Sequence, residues 1–505
     1  MHTLRLPLKT TAYDRQQMER RFHAVSHIHN VAVKHAIRLL QKLKFHTEYP
    51  SYLTEYKELL NKQTLSKKDK KRKTELSKQM TGIHKDIGLT EYGLQAYIKP
   101  CAKQYRKLLS SQQVQKEISR VYSGVEKVLF GKGKQLHFKK YMDFDTICGK
   151  SNTNGVKFDK ETLSVEWLGL FIPCRIPKKD KDYDYMKESL SRDISYCEIA
   201  RKMFPSGWRY YVILYLKGDA PRKLKKVGTS LMGIDPGTSS VAGVSDTAVF
   251  LEELAPKAKE YDKRIYQLQQ KMDRSRRASN PDKYKEDGTI NEQNKDRWVY
   301  SNTYQKDRRK LKTLYRKKSA YIKQDHEIRC NRYLEDSNTF LVERMSYAGL
   351  QKRAKETKRQ DKTTPVTQKD GSVKEVRKYK KKKRFGKSIN SRAPALFLSI
   401  LKRKCEQYGG SYMEVNTTTF KASQYNHVTD TYERVSLSQR EKQIGDYSVQ
   451  RDLYSAFLIK NADSSLEHTD RDLCNYGFEH FINMQNERIA GMKASGISMK
   501  QCFGF

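Results

Sequence analysis

The sequence contains no run approaching the roughly 18 to 20 unbroken apolar residues of a membrane span. Its opening segment, MHTLRLPLKT, lacks the apolar core of a secretory signal. Neither a membrane nor an exported protein is expected, and the compartment implied is the cytoplasm. The eight cysteines, from Cys101 to Cys502, stand far apart with no CxxC pair. That spacing writes neither a zinc ribbon nor a disulfide framework, and it suits reduced thiols. Acidic residues are scarce: 58 Asp and Glu face 101 Lys and Arg, a net charge of +43. Such an excess repels itself unless a polyanion balances it. A disordered polycation is excluded too, because 18 Phe, 32 Tyr and 3 Trp can build cores. At 505 residues the chain has room for about three domains. Nucleic acid is the expected partner.

Residues 3–8 alternate as a short strand, and apolar residues at helical steps from Asp14 to Leu43 predict a long helix. Lys62 to Lys78 reads as a polar, basic hairpin between helices, and helical periodicity then continues to about residue 122, broken at Pro100. Beyond residue 122, the runs Ser164 to Ile172 (SVEWLGLFI) and Trp208 to Leu216 (WRYYVILYL) predict a β-rich module. A basic linker follows at Lys217 to Lys226. Leu231 to Asp235 (LMGID) predicts a buried strand ending at the Pro236–Gly237 turn. A basic helical region from 252 to 335, interrupted near Asn280 to Gly288, leads to a second buried strand, Thr339 to Val342, which ends at Glu343. Residues 351–390 carry 16 Lys or Arg against 4 acids and read as a mobile basic loop. A helix over Ala393 to Tyr408, a strand over Ser411 to Val415, an amphipathic helix over Tyr447 to Lys460 and a polar tail to Phe505 complete the order.

Three acids stand out by position. Asp235 and Glu343 end hydrophobic strands, and Asp452 lies beside the apolar face of the last predicted helix. Polar groups at the ends of buried strands are where such folds place chemistry. Gathered carboxylates bind Mg²⁺ or Mn²⁺, and two such ions about 4 Å apart activate water and stabilise the leaving oxygen of a phosphodiester. Asp before Pro-Gly is equally ordinary turn chemistry. Asp446, close before the helical run, reads as an N-cap rather than a ligand.

Leu231 to Gly237 (LMGIDPG), Phe340 to Met345 (FLVERM) and Gln450 to Ile459 (QRDLYSAFLI) resemble the three split segments of a RuvC-type nuclease domain. Their order resembles the TnpB family of transposon-encoded RNA-guided nucleases and the related compact type V CRISPR effectors. His137 to Asn152, Trp208 to Gly218 and the basic helix from Arg308 to His326 add to the likeness, which covers about residues 1 to 460. The resemblance implies an α/β multidomain chain: an RNase H-like nuclease domain, an N-terminal helical recognition lobe and a β-barrel wedge. The implied boundaries are 1–10 for a wedge strand, 11–122 for the helical domain and 123–228 for the wedge. The nuclease domain would cover 229–415 and 447–462, split by a zinc-ribbon-like lid at 416–446 and followed by a tail at 463–505.

The implied activity is guide-RNA-directed cleavage of double-stranded DNA beside a short protein-read motif. Base pairing then reads sequence and the protein grips backbones. Asp235, Glu343 and Asp452 would hold two Mg²⁺ or Mn²⁺ ions. Lys139, Lys140 and Lys150 would contact nucleic acid on the strength of the resemblance. Arg308, Arg309, Lys310, Arg316 and Lys317 form a run poor in balancing acids, which favours phosphate contact. Arg384 and Lys387 lie in the basic loop and carry the same expectation.

Two departures matter. The family's four zinc-binding cysteines have no counterpart in Thr417 to Asp446, where Lys421 to His427 (KASQYNH) stands at the first pair, so no structural zinc is expected. The family's Asp-x-Asn-Ala-Ala becomes Asp452-Leu453-Tyr454-Ser455-Ala456, with Tyr454 in place of an amide. A nuclease-inactive RNA-guided DNA-binding repressor is therefore the alternative, and a general basic RNA-binding factor a third. Gly386-Lys387-Ser388 lacks the first glycine and preceding strand of a phosphate-binding loop. His23 and His27, four apart without cysteine partners, suit ordinary helix surface better than a metal.

Overall fold

Thr11 sets where the first helix starts. In the computed structural model its side chain accepts from the Asp14 N–H while Asp14 accepts from the Thr11 N–H, a capping box that opens α1 (Ala12–Lys44) after strand β1 (His2–Pro7). The structure describes residues 1–62, 65–131, 133–176, 183–204, 206–221, 226–286, 288–351, 359–367, 372–379, 385–434, 436 and 439–497. Contacts divide the chain into Met1–Pro221 and Arg222–Phe505. No helix among the described residues is long and apolar enough to cross a membrane.

The first unit continues with α2 (Tyr49–Asn61), α3 (Lys67–Asp86), α4 (Glu91–Lys103) and α5 (Ser111–Leu129). The expected basic hairpin at Lys62 to Lys78 is instead largely helix. Ser66 and Asp69 form a capping box there, Lys, Arg and Glu are good helix formers, and Arg72 pairs with Glu55 of α2 at 2.7 Å. Pro100 does not break α4, which runs three residues further; so near the C-terminus its missing N–H costs one bond. Helix also extends past residue 122, to Leu129.

The β-rich part comprises β2 (Thr146–Cys148), β3 (Val156–Asp159), β4 (Ser164–Trp167), β5 (Leu170–Pro173), the short helix α6 (Tyr183–Leu190), β6 (Ile194–Phe204) and β7 (Gly207–Leu216). Two sheets form, in order β1-β7-β6-β2 and β3-β4-β5. SVEWLGLFI is a hairpin rather than a single run: Leu168 and Gly169 take φ of 46° and 79°, the left-handed pair of a two-residue turn. Neither sheet closes on itself among the described residues, so the expected barrel is replaced by two open sheets.

A buried cation knits this unit together. Arg201 is 1% exposed, its guanidinium 4.1–4.4 Å from the ring centres of Phe22, Tyr141 and Trp208. It donates to Glu19, to the Phe144 carbonyl and to the Tyr141 carbonyl, while the Tyr141 and Tyr210 hydroxyls also donate to Glu19. His23 and His27 of α1 stay exposed: His23 stacks on Tyr141 at 3.6 Å, and His27 Nδ1 lies 3.1 Å from the Tyr105 hydroxyl.

The second unit is built on five strands in the order β10-β9-β8-β11-β14. These are β8 (Ser230–Pro236), β9 (Ser240–Val244), β10 (Val249–Glu253), β11 (Ser337–Glu343) and β14 (Ser411–Val415). The first three run antiparallel, and β11 lies parallel to both β8 and β14. Helices α7 (Ala258–Ala278) and α8 (Asn302–Asp336) precede β11; α9 (Tyr347–Gln351), α10 (Gly386–Arg392) and α11 (Pro394–Gln407) follow it. Alternation along β11 loads both faces. Phe340 and Val342 join a core with Tyr333 and Leu334 of α8 and Phe397 and Leu401 of α11. Leu341 enters the opposite core, with the helix that carries Asp452.

Three expectations are corrected here. Within 351–390 the described residues include a hairpin, β12 (Arg359–Thr367) with β13 (Val373–Tyr379), whose Thr and Val residues favour strand pairing. After α12 (Thr417–Phe420), β15 (Tyr425–Asn426) and β16 (Thr431–Tyr432) comes a hairpin of β17 (Glu441–Ile444) with β18 (Tyr447–Gln450). The last predicted helix therefore starts as strand: α13 is Arg451–Lys460, capped by Gln450, and Asp446 sits in the hairpin turn rather than at the cap. Finally, the tail contains α14 (Arg471–Ala494), which buries Phe478, Phe481, Ile482 and Met492 and is capped by Asp470.

Candidate functional site

The parallel pairing of β8 and β11 sets Ile234 opposite Val342, so the next residues, Asp235 and Glu343, emerge side by side. Helix α13 crosses the same strand at very short range. A Cβ on Gly233 would lie 2.1 Å from the Ala456 carbonyl oxygen and 2.3 Å from the Lys460 nitrogen, both backbone atoms that cannot step aside. Glycine at 233 is thus what lets α13, the helix that carries Asp452, pack directly on β8. Gly233→Ala is expected to destabilise the second unit by about 1–3 kcal/mol, seen as a lower urea midpoint.

Asp235 and Glu343 lie close enough for each carboxyl to bear on the charge of the other. Burial, and then neighbouring negative charge, pushes both carboxyls above the usual range; for Asp235 the charges are Glu343 and Asp452. Asp452 is differently placed. Its carboxylate accepts from Arg451 at 3.0 Å and from Arg440 at 3.4 Å. The Tyr347 hydroxyl donates to the carbonyls of Pro236 and Gly237, both at 3.3 Å, and steadies the turn after Asp235.

Two facing carboxylates with a third in electrostatic reach are the donor chemistry of a hard divalent cation. The raised pKa of both carboxyls reflects crowded negative charge that such a cation would offset. As placed, no three His, Cys, Asp or Glu side chains among the described residues surround one metal-holding point. The pair fits a cation; Asp452 is instead engaged by its arginines.

The lid between β14 and α13 is packed without cysteine. His427, 1% exposed, places Nδ1 2.7 Å from the Tyr454 hydroxyl and its backbone N–H 3.2 Å from the same oxygen. Burial, with the charges of Arg471 and Lys442, pushes the His427 imidazole down to about 4. The unfolded chain therefore binds an extra proton between the ordinary value of 6.5 and about 4, so stability is full above that window and falls as pH drops through it. Acidifying from pH 7 to 5 is expected to cost about 2 kcal/mol of unfolding free energy, measured by urea titration; His427→Gln should flatten the profile.

The residues expected to touch nucleic acid scatter over both units. Lys140 and Lys150 are exposed, whereas Lys139 is half-buried, with its Nζ 4.4 Å from the Phe144 ring centre. Arg308, Arg309, Lys310 and Lys317 line the exposed side of α8, with Lys310 paired to Asp307; Arg316 is half-buried. Lys387 is exposed, and Arg384 lies outside the described residues. Ser388, beside Lys387, donates to the Thr238 carbonyl, three residues beyond Asp235. Next to that loop lies a cavity of about 1700 Å³ whose walls include Ser239, Lys259, Lys263, Lys318, Lys387 and Arg488. The sequence reading missed Arg440, Arg451, Tyr347 and His427. Only Arg451, adjacent to Asp452, carried any signal, because the other contacts span loops.

No protein-family model matches the chain, and no curated protein matches it. Several solved structures are similar, two of them cryo-EM complexes. A cryo-EM structure of the Cas12f1–sgRNA–target DNA complex matches with a TM-score of 0.43 and 12% identity, over 90% of this chain and 87% of that one. A cryo-EM structure of a CRISPR-Cas12f ternary complex matches with a TM-score of 0.25 and 12% identity, over 91% and 99%.

Proposed function

We propose that the chain is an RNA-guided, metal-dependent DNA endonuclease of RNase H-like, RuvC-type architecture. The observation that carries this reading is the acid pair. Asp235 and Glu343 leave adjacent parallel strands side by side, and Gly233 admits the helix that holds Asp452 nearby. When bound, Mg²⁺ or Mn²⁺ would supply activation of water and neutralisation of the leaving oxygen. Asp235 and Glu343 would hold the ion as carboxylates, releasing any proton they carry. Asp452 would join on release from Arg440 and Arg451, leaving those guanidiniums near a scissile phosphate. Lysines of the adjoining cavity, Lys263 and Lys387 among them, would retain the strand by its phosphates.

The test is a plasmid assay using the protein with its copurified RNA, a matched target and Mg²⁺. Nicked or linear product is expected. Retention of target with no product under any divalent ion would sink the nuclease reading. That outcome would favour the repressor, for which the arginine pairs on Asp452 speak.

A further inference from the structure

The lid is fastened to α13 at two points. On one side the His427 ring and backbone N–H meet the Tyr454 hydroxyl, inside a cage where His427 lies 4.6 Å from Phe478 and Tyr454 is 1% exposed. Arg471 of α14 closes that side by donating to the carbonyls of His427 and Val428, both at 2.8 Å. On the other side the Arg451 N–H donates to the Arg440 carbonyl at 2.9 Å. The Arg451 guanidinium donates to the carbonyl of Gln439 at 3.1 Å and to the Asp452 carboxylate at 3.0 Å. Residues 452 and 454 lie about 200° apart round the helix, so Tyr454 never touches the acid pair.

We infer that Tyr454 is a positioning residue: its hydroxyl, seated on His427, fixes the register of the lid on α13, and the lid in turn sets the Asp452 carboxylate through Arg440 and Arg451. Where the resembled family carries cysteines for zinc, this chain uses one tyrosine–histidine contact, aromatic packing and an arginine clasp. The catalytic consequence rests on the nuclease reading; the fastening itself does not.

Tyr454→Phe keeps the ring and removes only the hydroxyl, stranding two buried groups of His427. Hydrogen–deuterium exchange of peptides spanning 420–456 is the first readout, and amides there are expected to exchange about tenfold faster than in the wild type. Arg471→Gln, a gentler cut at the clasp, should move the same peptides less. Exhaustive zinc chelation of the wild type should leave them unmoved. Single-turnover cleavage at saturating protein is the second readout, expected to slow about tenfold with target affinity unchanged. Unchanged exchange in Tyr454→Phe, or loss of protection on chelation, overturns the fastening. Wild-type cleavage rates in Tyr454→Phe overturn the positioning role. Should the wild type itself not cleave, the nuclease reading fails alone, and exchange across residues 450–456 still decides whether the lid sets the start of α13.

Discussion

Asp235→Ala is expected to lower cleavage by a factor of about a thousand or more while target binding changes by less than about twofold. The two effects separate because the residue's burdens separate. Retention of a polyanion depends on a surplus of 43 positive charges spread along the chain, which one carboxylate hardly alters. Chemistry depends on one pair of half-buried acids at the strand ends. The same substitution should stabilise the apo protein. An acid whose folded pKa is raised contributes stability only below its ordinary value and loses it as pH rises through the folded one. At neutral pH wild-type Asp235, beside Glu343 and Asp452, is therefore a strained group. Thermal unfolding gives a third readout: Mn²⁺ alone should raise the Tm of the wild type, because it binds only the folded state, and should not raise that of Asp235→Ala. Equal shifts in both would remove Asp235 from the metal site; full cleavage by the variant would remove it from the chemistry.

What could be read in advance follows from how each element is buried. Strands β8 and β11 lie between neighbours and are covered on both faces, so LMGID and FLV appear as continuous apolar runs. Helix α1 was legible because a broad face is buried, from Met18 through Leu43. The hairpin β12–β13 escaped because its Thr and Val are interrupted by charged residues and Pro365 while pairing is carried by the backbone. The hairpin at Leu168–Gly169 was hidden inside an apolar run, since two half-buried strands are joined there by Leu and Gly with no polar break. At the site, Asp235, Glu343 and Asp452 stand out in the sequence by position, and the resemblance adds their expected metal-binding role. The pairing of Asp452 with Arg440 depends on a lid whose course no local pattern encodes.

Phe481→Ala addresses the largest element missed, α14. Its buried residues, Cys474, Phe478, Phe481, Ile482, Gln485, Ile489 and Met492, follow helical steps of three and four, but Asn, Glu, His and Arg between them dilute the stripe. Phe481 is 1% exposed, with its ring 4.6 Å from Phe457 of α13 and 6.3 Å from Phe478. Removing a fully buried phenyl ring from such a cluster costs about 3–5 kcal/mol, read as a lower urea midpoint of the second unit. Because Phe457 and Tyr454 share this core with Phe478, loosening it should also free the helix that carries Asp452. Cleavage is then expected to fall at temperatures where the second unit is still folded. Phe481→Leu, which retains most of the apolar volume, should recover most of both losses. An alanine variant as stable as the wild type would mean that α14 is an appendage rather than part of the core beneath Asp452.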